Sequence, residues 1–541
     1  MNMSFDCNYQ PYSSNRYPVI AGRGMVSTSS ALASSAGLEI LKAGGNAVDA
    51  AIAAAAALAV VEPTSNGIGG DAFAIVWLRD KLYGINGSGR APMGISIEKV
   101  MESGEAKDGK MPDYGWTPVT VPGVPGTWAA LSKKFGRLPL SRVLSPAVEY
   151  ARYGYPVSPV VSTLWQRAVL KYSALPKKGD EYEEWFKTFA PEGRGPAPGE
   201  TVTLKNHADT LELIGKTEAE SFYRGELAER MIADSIAHRG YLRKQDLENF
   251  HADWVEPLKV NYRGYEVCEI PPNGQGIVAL MALNILKEFE FSGRDSVETC
   301  HKQMEAIKMA FADGKRYVTD PAFMKMKPED LIKPRYGADR SREIGKTAKE
   351  PLVSSPYGSG TVYLCTADGE GNMVSMIQSN YKGFGSGIVV KGTGISLQNR
   401  GRDFSLDPSQ ENALMPGKRT YHTIIPGFLM KDGKAVGPFG MMGGFMQPQG
   451  HVQIVMNLID FHLNPQMALD APRWQWTEGK KFIVEPEFPV ELARQLRNLG
   501  HEVEFAVENY TFGRGQIILR MDNGALIGGT ESRADSSIAC Y

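Results

Sequence analysis

Tyr357-Gly358-Ser359-Gly360-Thr361-Val362-Tyr363 joins two unlike halves of the chain. Before it, residues 343–349 are polar and residues 351–360 carry Pro, Ser and Gly, the composition of an exposed linker. After it, residues 361–366 and 373–379 read as strands on either side of Ala-Asp-Gly-Glu-Gly-Asn, a hairpin signal. A hydroxyl residue heading a strand, behind a segment that can be cut, meets two of the needs of an N-terminal nucleophile. The third is a set of backbone amides to hold an oxyanion. Once the bond before Thr361 is broken, the new α-amine, with an unperturbed pKa near ~8, can act as base for the adjacent hydroxyl. Gly360 gives the backbone the freedom that an internal N-to-O acyl shift requires. Taken alone, the same pattern also describes an ordinary linker threonine.

Working outward, residues 30–42 and 47–61 read as two helices split by Gly44-Gly45-Asn46, with Asn46 or Asp49 satisfying free amides at the second start. The second helix is apolar nearly all round and should be buried. Glu62-Pro63 ends it, and residues 66–71 (Asn-Gly-Ile-Gly-Gly-Asp) make a glycine turn before a strand at 72–78. That turn lacks the spacing of a phosphate loop, so a nucleotide-binding enzyme is a weaker reading than a tight turn beneath a site. The middle, 131–346, is charge-rich and helical in pieces such as 227–238 and 297–311. Glycine-rich stretches at 383–387, 392–394 and 437–444, a helix near 451–463 and further strands complete the chain. No repeat of 20–50 residues is present, and the whole reads as one α/β body whose sheet is completed by its last third.

The 541 residues hold 59 Lys+Arg against 61 Asp+Glu, and a net charge of −2 removes the electrostatic case for nucleic acid or an anionic membrane as partner. At 43% hydrophobic the chain is too apolar to be disordered. Cys7, Cys268, Cys300, Cys365 and Cys540 are odd in number and form no CxxC pair, which argues against a disulfide framework or a thiolate metal site and for a reducing compartment. Residues 1–17 lack the sections of a signal peptide, and the longest apolar run, 50–61, falls short of the ~20 residues that span a bilayer. A cytoplasmic protein without metal or cofactor is expected.

Several segments, in one order, resemble the gamma-glutamyltransferase family: residues 43–51 (Ala-Gly-Gly-Asn-Ala-Val-Asp-Ala-Ala), 62–72 (Glu-Pro-Thr-Ser-Asn-Gly-Ile-Gly-Gly-Asp-Ala), 384–387, 392–399, Gly417-Lys418-Arg419, Met442-Gly443-Gly444 and Ala471-Pro472-Arg473. The resemblance spans about residues 20–541 and is weakest in the helical middle. It implies an N-terminal-nucleophile hydrolase with an αββα four-layer sandwich, made as a proenzyme. Cleavage at Gly360–Thr361 would leave a large subunit, 1–360, and a small subunit, 361–541. Thr361 falls on the nucleophile position, Ser379 on that of an assisting hydroxyl, and Gly443 and Gly444 on the pair whose N–H groups form the oxyanion hole. The partners implied are a small-molecule amide and the two pieces of one precursor, and a homodimer of processed heterodimers is left open.

The resemblance departs where a γ-glutamyl group would be read. The family arginine aligns with Ser88, and Arg90 stands two residues on, displaced by ~6–7 Å along a strand. Paired serines become His422 and Thr423, an asparagine becomes Tyr381, and an Asn/Gln/Glu-type position becomes Arg400. Asp403, expected to hold a substrate ammonium, is kept. Arg400 brings a permanent fork of donors suited to a carboxylate, and it can also neutralise Asp403 as an internal ion pair. Residues 399–401 and 447–451 further resemble a subgroup of acylases and small amidohydrolases. His451 is read as packing or capping a helix. Three functions are therefore carried forward. The first is glutathione-type γ-glutamyl hydrolysis or transfer through an acyl-enzyme. The second is hydrolysis of a small carboxylate-bearing amide without an α-amine, of oxamate or glutaryl type. The third is a non-catalytic relative that keeps the fold for binding.

Overall fold

A computed structural model describes residues 15–175, 179–351 and 360–541. Cys7 and the linker residues 352–359 lie outside the described residues. The strand that follows Thr361, Val362–Asp368, is buried along its whole length. Its side chains alternate between two cores. Val362 and Leu364 join an apolar cluster with the helices Ala31–Lys42 and Ala47–Val61, whereas Tyr363, Cys365 and Ala367 join a cluster enclosed between two sheets. A strand apolar on both faces needs cover on both, and that need sets the layering.

The first sheet has seven antiparallel strands in the order Ser537–Cys540, Gly24–Thr28, Val362–Asp368, Met373–Ser379, Asp71–Leu78, Lys81–Asn86 and Asp253–Val255. The second, also of seven, runs Val19–Ala21, Leu526–Thr530, Arg514–Arg520, Lys434–Met442, Gly427–Lys431, Tyr265–Glu269 and Leu258–Tyr262. Phe73, Ile75, Met373 and Ile377 of the first sheet meet Cys268, Phe428 and Ile518 of the second. On the far side of the second sheet, Gly276–Leu286, Val297–Tyr317 and Met446–Ile459 close a third core. The result is the αββα four-layer sandwich.

Local chemistry accounts for the elements around the site. All fifteen residues of Ala47–Val61 are buried, and Asn46 and Asp49 form a reciprocal cap at its start. The hairpin turn is tighter than the sequence suggests, because the strand runs on to Asp368. That carboxylate accepts the N–H groups of Glu370 and Asn372, both at 3.0 Å, and of Ala47 at 2.9 Å, which ties the turn to the buried helix. The helix expected near 451–463 begins earlier, at Met446, directly behind Gly443-Gly444. His451 packs within it, its Nδ1 2.6 Å from Glu269 Oε1. Cys268, Cys300, Cys365 and Cys540 are free thiols. Among the described residues no helix is long and apolar enough to cross a membrane.

Candidate active site

Thr361 is buried at the head of its strand, and Ser379 ends the neighbouring one, one register step away (Val362 pairs with Gln378). The two hydroxyl oxygens are 3.0 Å apart. The Ser379 hydroxyl donates to the Gly360 carbonyl and its oxygen accepts the Tyr381 N–H at 2.7 Å, so the Thr361 hydroxyl is left to donate to Ser379. One side chain thus holds the hydroxyl of Thr361 and the carbonyl of the peptide bond before it. The glycine turn at 66–71 lies directly beneath. A Cβ on Gly70 would fall 2.6 Å from the Ser379 carbonyl oxygen, so only glycine fits there.

Thr361, Gly360 and Gly443 line one cavity of about 420 Å³. Gly443 has φ +137°, and a Cβ there would lie 3.0 Å from Gly513 Cα. Among the described residues the N–H groups of Gly443 and Gly444 donate to no acceptor, while the Gly444 carbonyl accepts Gln275 Nε2 at 2.9 Å. Arg473 fixes the facing loop by donating to the Phe512 and Gly513 carbonyls (3.0 and 2.8 Å) and to Glu531 (2.9 Å). The two buried arginines Arg473 and Arg533 hold the Glu531 carboxyl down to about 2 against the opposing cost of burial. This places the Ala471-Pro472-Arg473 segment behind the oxyanion candidates.

The side chains expected to read substrate are mostly buried and bonded to one another or to their neighbours. The Tyr381 hydroxyl donates to Asp403 Oδ1 at 2.7 Å, and the Arg400 guanidinium stacks 4.0 Å from the Tyr381 ring centroid. Arg400 Nη1 donates to Thr423 Oγ1 at 2.8 Å and lies 3.5 Å from Asp403 Oδ2. Among the described residues, Arg400 Nε and Nη2 have no hydrogen-bond partner. Burial lowers the Arg400 pKa and pushes the Tyr381 phenol well up. His422 has both ring nitrogens engaged. Its Nδ1 accepts the Ile424 N–H at 3.3 Å, so Nε2 carries the proton that faces Asp71 Oδ2 at 3.0 Å. Burial, with Arg400 and Arg419 nearby, keeps this imidazole neutral, and burial pushes the Asp71 carboxyl up to about 7. Arg90 stands apart. It donates to Asp320 at 2.8 Å and to the Gly417 carbonyl, and lines a separate cavity with Ser88 and Arg419.

Asp71, Gln275 and Arg514 were not singled out by sequence reasoning. For Asp71 the signal was an acid opening an otherwise apolar strand. Gln275 and Arg514 gave none, since their place depends on long-range pairing. Among the described residues, His301, Glu305 and His501 bring three ligand atoms close enough for a cation. Lys308 Nζ already sits 2.6 Å from Glu305, and His301 Nδ1 meets His501 Nε2 at 2.8 Å, so the cluster balances itself. It anchors the chain before the linker, through the Gly345 and Lys349 carbonyls.

Comparison with known proteins shows the family. The family model described as Gamma-glutamyltranspeptidase matches residues 33–541. A glutathione hydrolase-like YwrD proenzyme of Bacillus subtilis is 38% identical over 533 residues, covering 96% of this chain and 98% of that protein. An oxamate amidohydrolase proenzyme of Klebsiella pneumoniae is 32% identical, covering 96% and 99%. Among solved structures, a cephalosporin acylase from Bacillus halodurans superposes with a TM-score of 0.97 at 56% identity, over 100% of this chain and 99% of that one. The chain belongs to the gamma-glutamyltranspeptidase family of N-terminal-nucleophile hydrolases.

Proposed function

We propose that this chain is a self-processing amidohydrolase with Thr361 as its nucleophile. The observation that carries the reading is the Ser379 hydroxyl, which engages both Thr361 Oγ1 and the Gly360 carbonyl. In maturation, Thr361 Oγ1 attacks the Gly360 carbonyl carbon, its proton passes to the Thr361 nitrogen, and the peptide C–N bond breaks to leave an ester. Water hydrolyses that ester, freeing the Gly360 carboxylate and the Thr361 amine. The pieces would be residues 1–360 and 361–541. In turnover the free amine takes the Thr361 hydroxyl proton as Oγ1 attacks the substrate amide. The N–H groups of Gly443 and Gly444 receive the oxyanion, a contribution typically worth ~3–4 kcal/mol per donor. Collapse breaks the amide C–N bond, the amine leaves with the proton, and water or an acceptor amine releases the acyl group.

γ-Glutamyl amides and carboxylate-bearing amides without an α-amine are both open to this chemistry. The second class is favoured by Asp403, whose carboxylate already accepts Tyr381 and faces Arg400, so a substrate ammonium would compete with a buried cation. A cytoplasmic, reducing setting fits the free thiols. Intact mass of freshly purified wild type beside Thr361→Ala is the test. By residue share of 59.2 kDa, pieces of about 39 and about 20 kDa are expected from wild type alone. A wild type that stays whole and hydrolyses no amide overturns the reading.

A further inference from the structure

The cavity beside Thr361 is lined by four cationic side chains, Arg167, Lys171, Lys382 and Arg514, and by no carboxylate among the described residues. Two of the four are neutralised from outside the cavity: Arg167 pairs with Glu508 at 2.8 Å and Lys382 with Asp113 at 3.0 Å. Lys171 is exposed, and among the described residues its ammonium has only the Tyr114 ring, 5.5 Å from the centroid. Arg514 is the unusual member. Its side chain is 7% exposed, yet its guanidinium makes no hydrogen bond among the described residues, and its nearest acid is Glu62 at 3.5 Å. Burial pushes the Glu62 carboxyl up to about 7, while the Ser29 hydroxyl donates to its other oxygen. A largely buried guanidinium that lines the cavity with free donors, beside an acid only partly ionised near neutral pH, has capacity left for an anion, and its planar fork matches a carboxylate.

The position of Arg514 gives that charge a purpose. It pairs in register with Met442, the residue before Gly443, and the preceding Gly513 packs against Gly443 itself. An anion held by Arg514 therefore lies beside the oxyanion candidates and the nucleophile. We propose that Arg514, with Lys171, is the anion anchor of this cleft and that the substrate is a small amide carrying a carboxylate bound there. The inference rests on Thr361 being the nucleophile. It moves substrate recognition from the Tyr381–Arg400–Asp403 cluster to the cavity lined by Thr361 and Arg514.

The test compares carboxylate-bearing amides with their neutral counterparts on processed enzyme. On the acyl side the pair is glutaryl- and butyryl-p-nitroanilide. On the amine side it is butyryl-p-aminobenzoate and butyryl anilide. Wild type is expected to favour the charged member of at least one pair by ~10-fold or more in kcat/KM, the scale of a charge-assisted hydrogen bond. Arg514→Gln is expected to bring that ratio towards one, mainly through KM. Arg514→Lys keeps part of it, and Lys171→Glu lowers it. Equal rates within both pairs for wild type, or a ratio unchanged in Arg514→Gln and Lys171→Glu, overturns the proposal. Should Arg514→Gln fail to mature by intact mass, Lys171→Glu and Arg514→Lys decide it. If wild type itself is neither cut nor active, the proposed function fails, and the anchor is judged by calorimetric binding of glutarate to the intact chain. Binding weakened in Lys171→Glu supports it, and no binding by wild type overturns it.

Discussion

Replacing Ser379 by Ala removes three contacts at once: the 3.0 Å approach to Thr361 Oγ1, the donation to the Gly360 carbonyl, and the acceptor of the Tyr381 N–H at 2.7 Å. Their effects fall on different observables. The Gly360 carbonyl oxygen becomes the oxyanion when Thr361 attacks in maturation, and a single donor aimed at such a charge is worth ~2.7–4 kcal/mol, or ~10²–10³ in rate. The orphaned Tyr381 N–H, buried with no other partner among the described residues, costs ~1–3 kcal/mol of folding stability. The assay follows conversion of the 59.2 kDa precursor by intact mass at a temperature where circular dichroism shows both proteins folded. The alanine variant should mature more slowly by two to three orders of magnitude (~10²–10³). Ser379→Thr, which keeps the hydroxyl, should stay within ~10-fold of wild type. A Ser379→Ala precursor cut at the wild-type rate refutes the assignment of Ser379 and the geometry on which it stands.

Three other perturbations test the surroundings. Asp71 and Glu62 hold carboxyl pKa values near 7, above their unfolded values, so the folded state binds extra protons at mildly acid pH and stability falls as pH rises towards 7. Asp71→Asn should remove up to ~2.5 kcal/mol of the stability difference between pH 5 and about 7.5, read as urea midpoints, and an unaltered difference counts against it. Arg400→Met strands the Asp403 carboxylate and should cost ~3–5 kcal/mol. Adding Asp403→Leu should restore most of it, and strictly additive losses in the double variant would falsify the pairing. Gly443→Ala forces a side chain into φ +137° and against Gly513 Cα, so kcat should drop ~10²-fold with a smaller change in KM. An active alanine variant would place the oxyanion donors elsewhere.

Much of this arrangement was legible in the sequence because it is written in local patterns. The buried helix Ala47–Val61 announces itself by being apolar on every face, with a polar Asn46 at its start. The hairpin after Thr361 does so by alternation around a glycine turn. The cleft was less legible for a physical reason. Thr361 and Ser379 are eighteen positions apart and could be paired through the hairpin, whereas Arg514 reaches the site only because its strand pairs with Lys434–Met442. Side-chain partnership was the least predictable. Sequence alone showed Arg400 and Asp403 three residues apart, but not that Tyr381 would stack on one and donate to the other, nor that His422 would spend both nitrogens on Asp71 and Ile424.

The strand headed by Thr361 lies between Gly24–Thr28 and Met373–Ser379, and the last strand, Ser537–Cys540, reaches back to Gly24–Thr28. In the second sheet Val19–Ala21 closes on Leu526–Thr530. Chain from before and after residue 360 is thus interlaced in both sheets, and neither part has a core of its own. A break at Gly360–Thr361 would leave two polypeptides that cannot drift apart without unravelling both sheets. The nucleophile's environment exists only after this weave is complete, so self-cleavage would serve as a receipt for finished folding. A misassembled copy would remain chemically silent, and a gene for residues 361–541 alone would yield a first strand that keeps Met373–Ser379 on one side and lacks Gly24–Thr28 on the other.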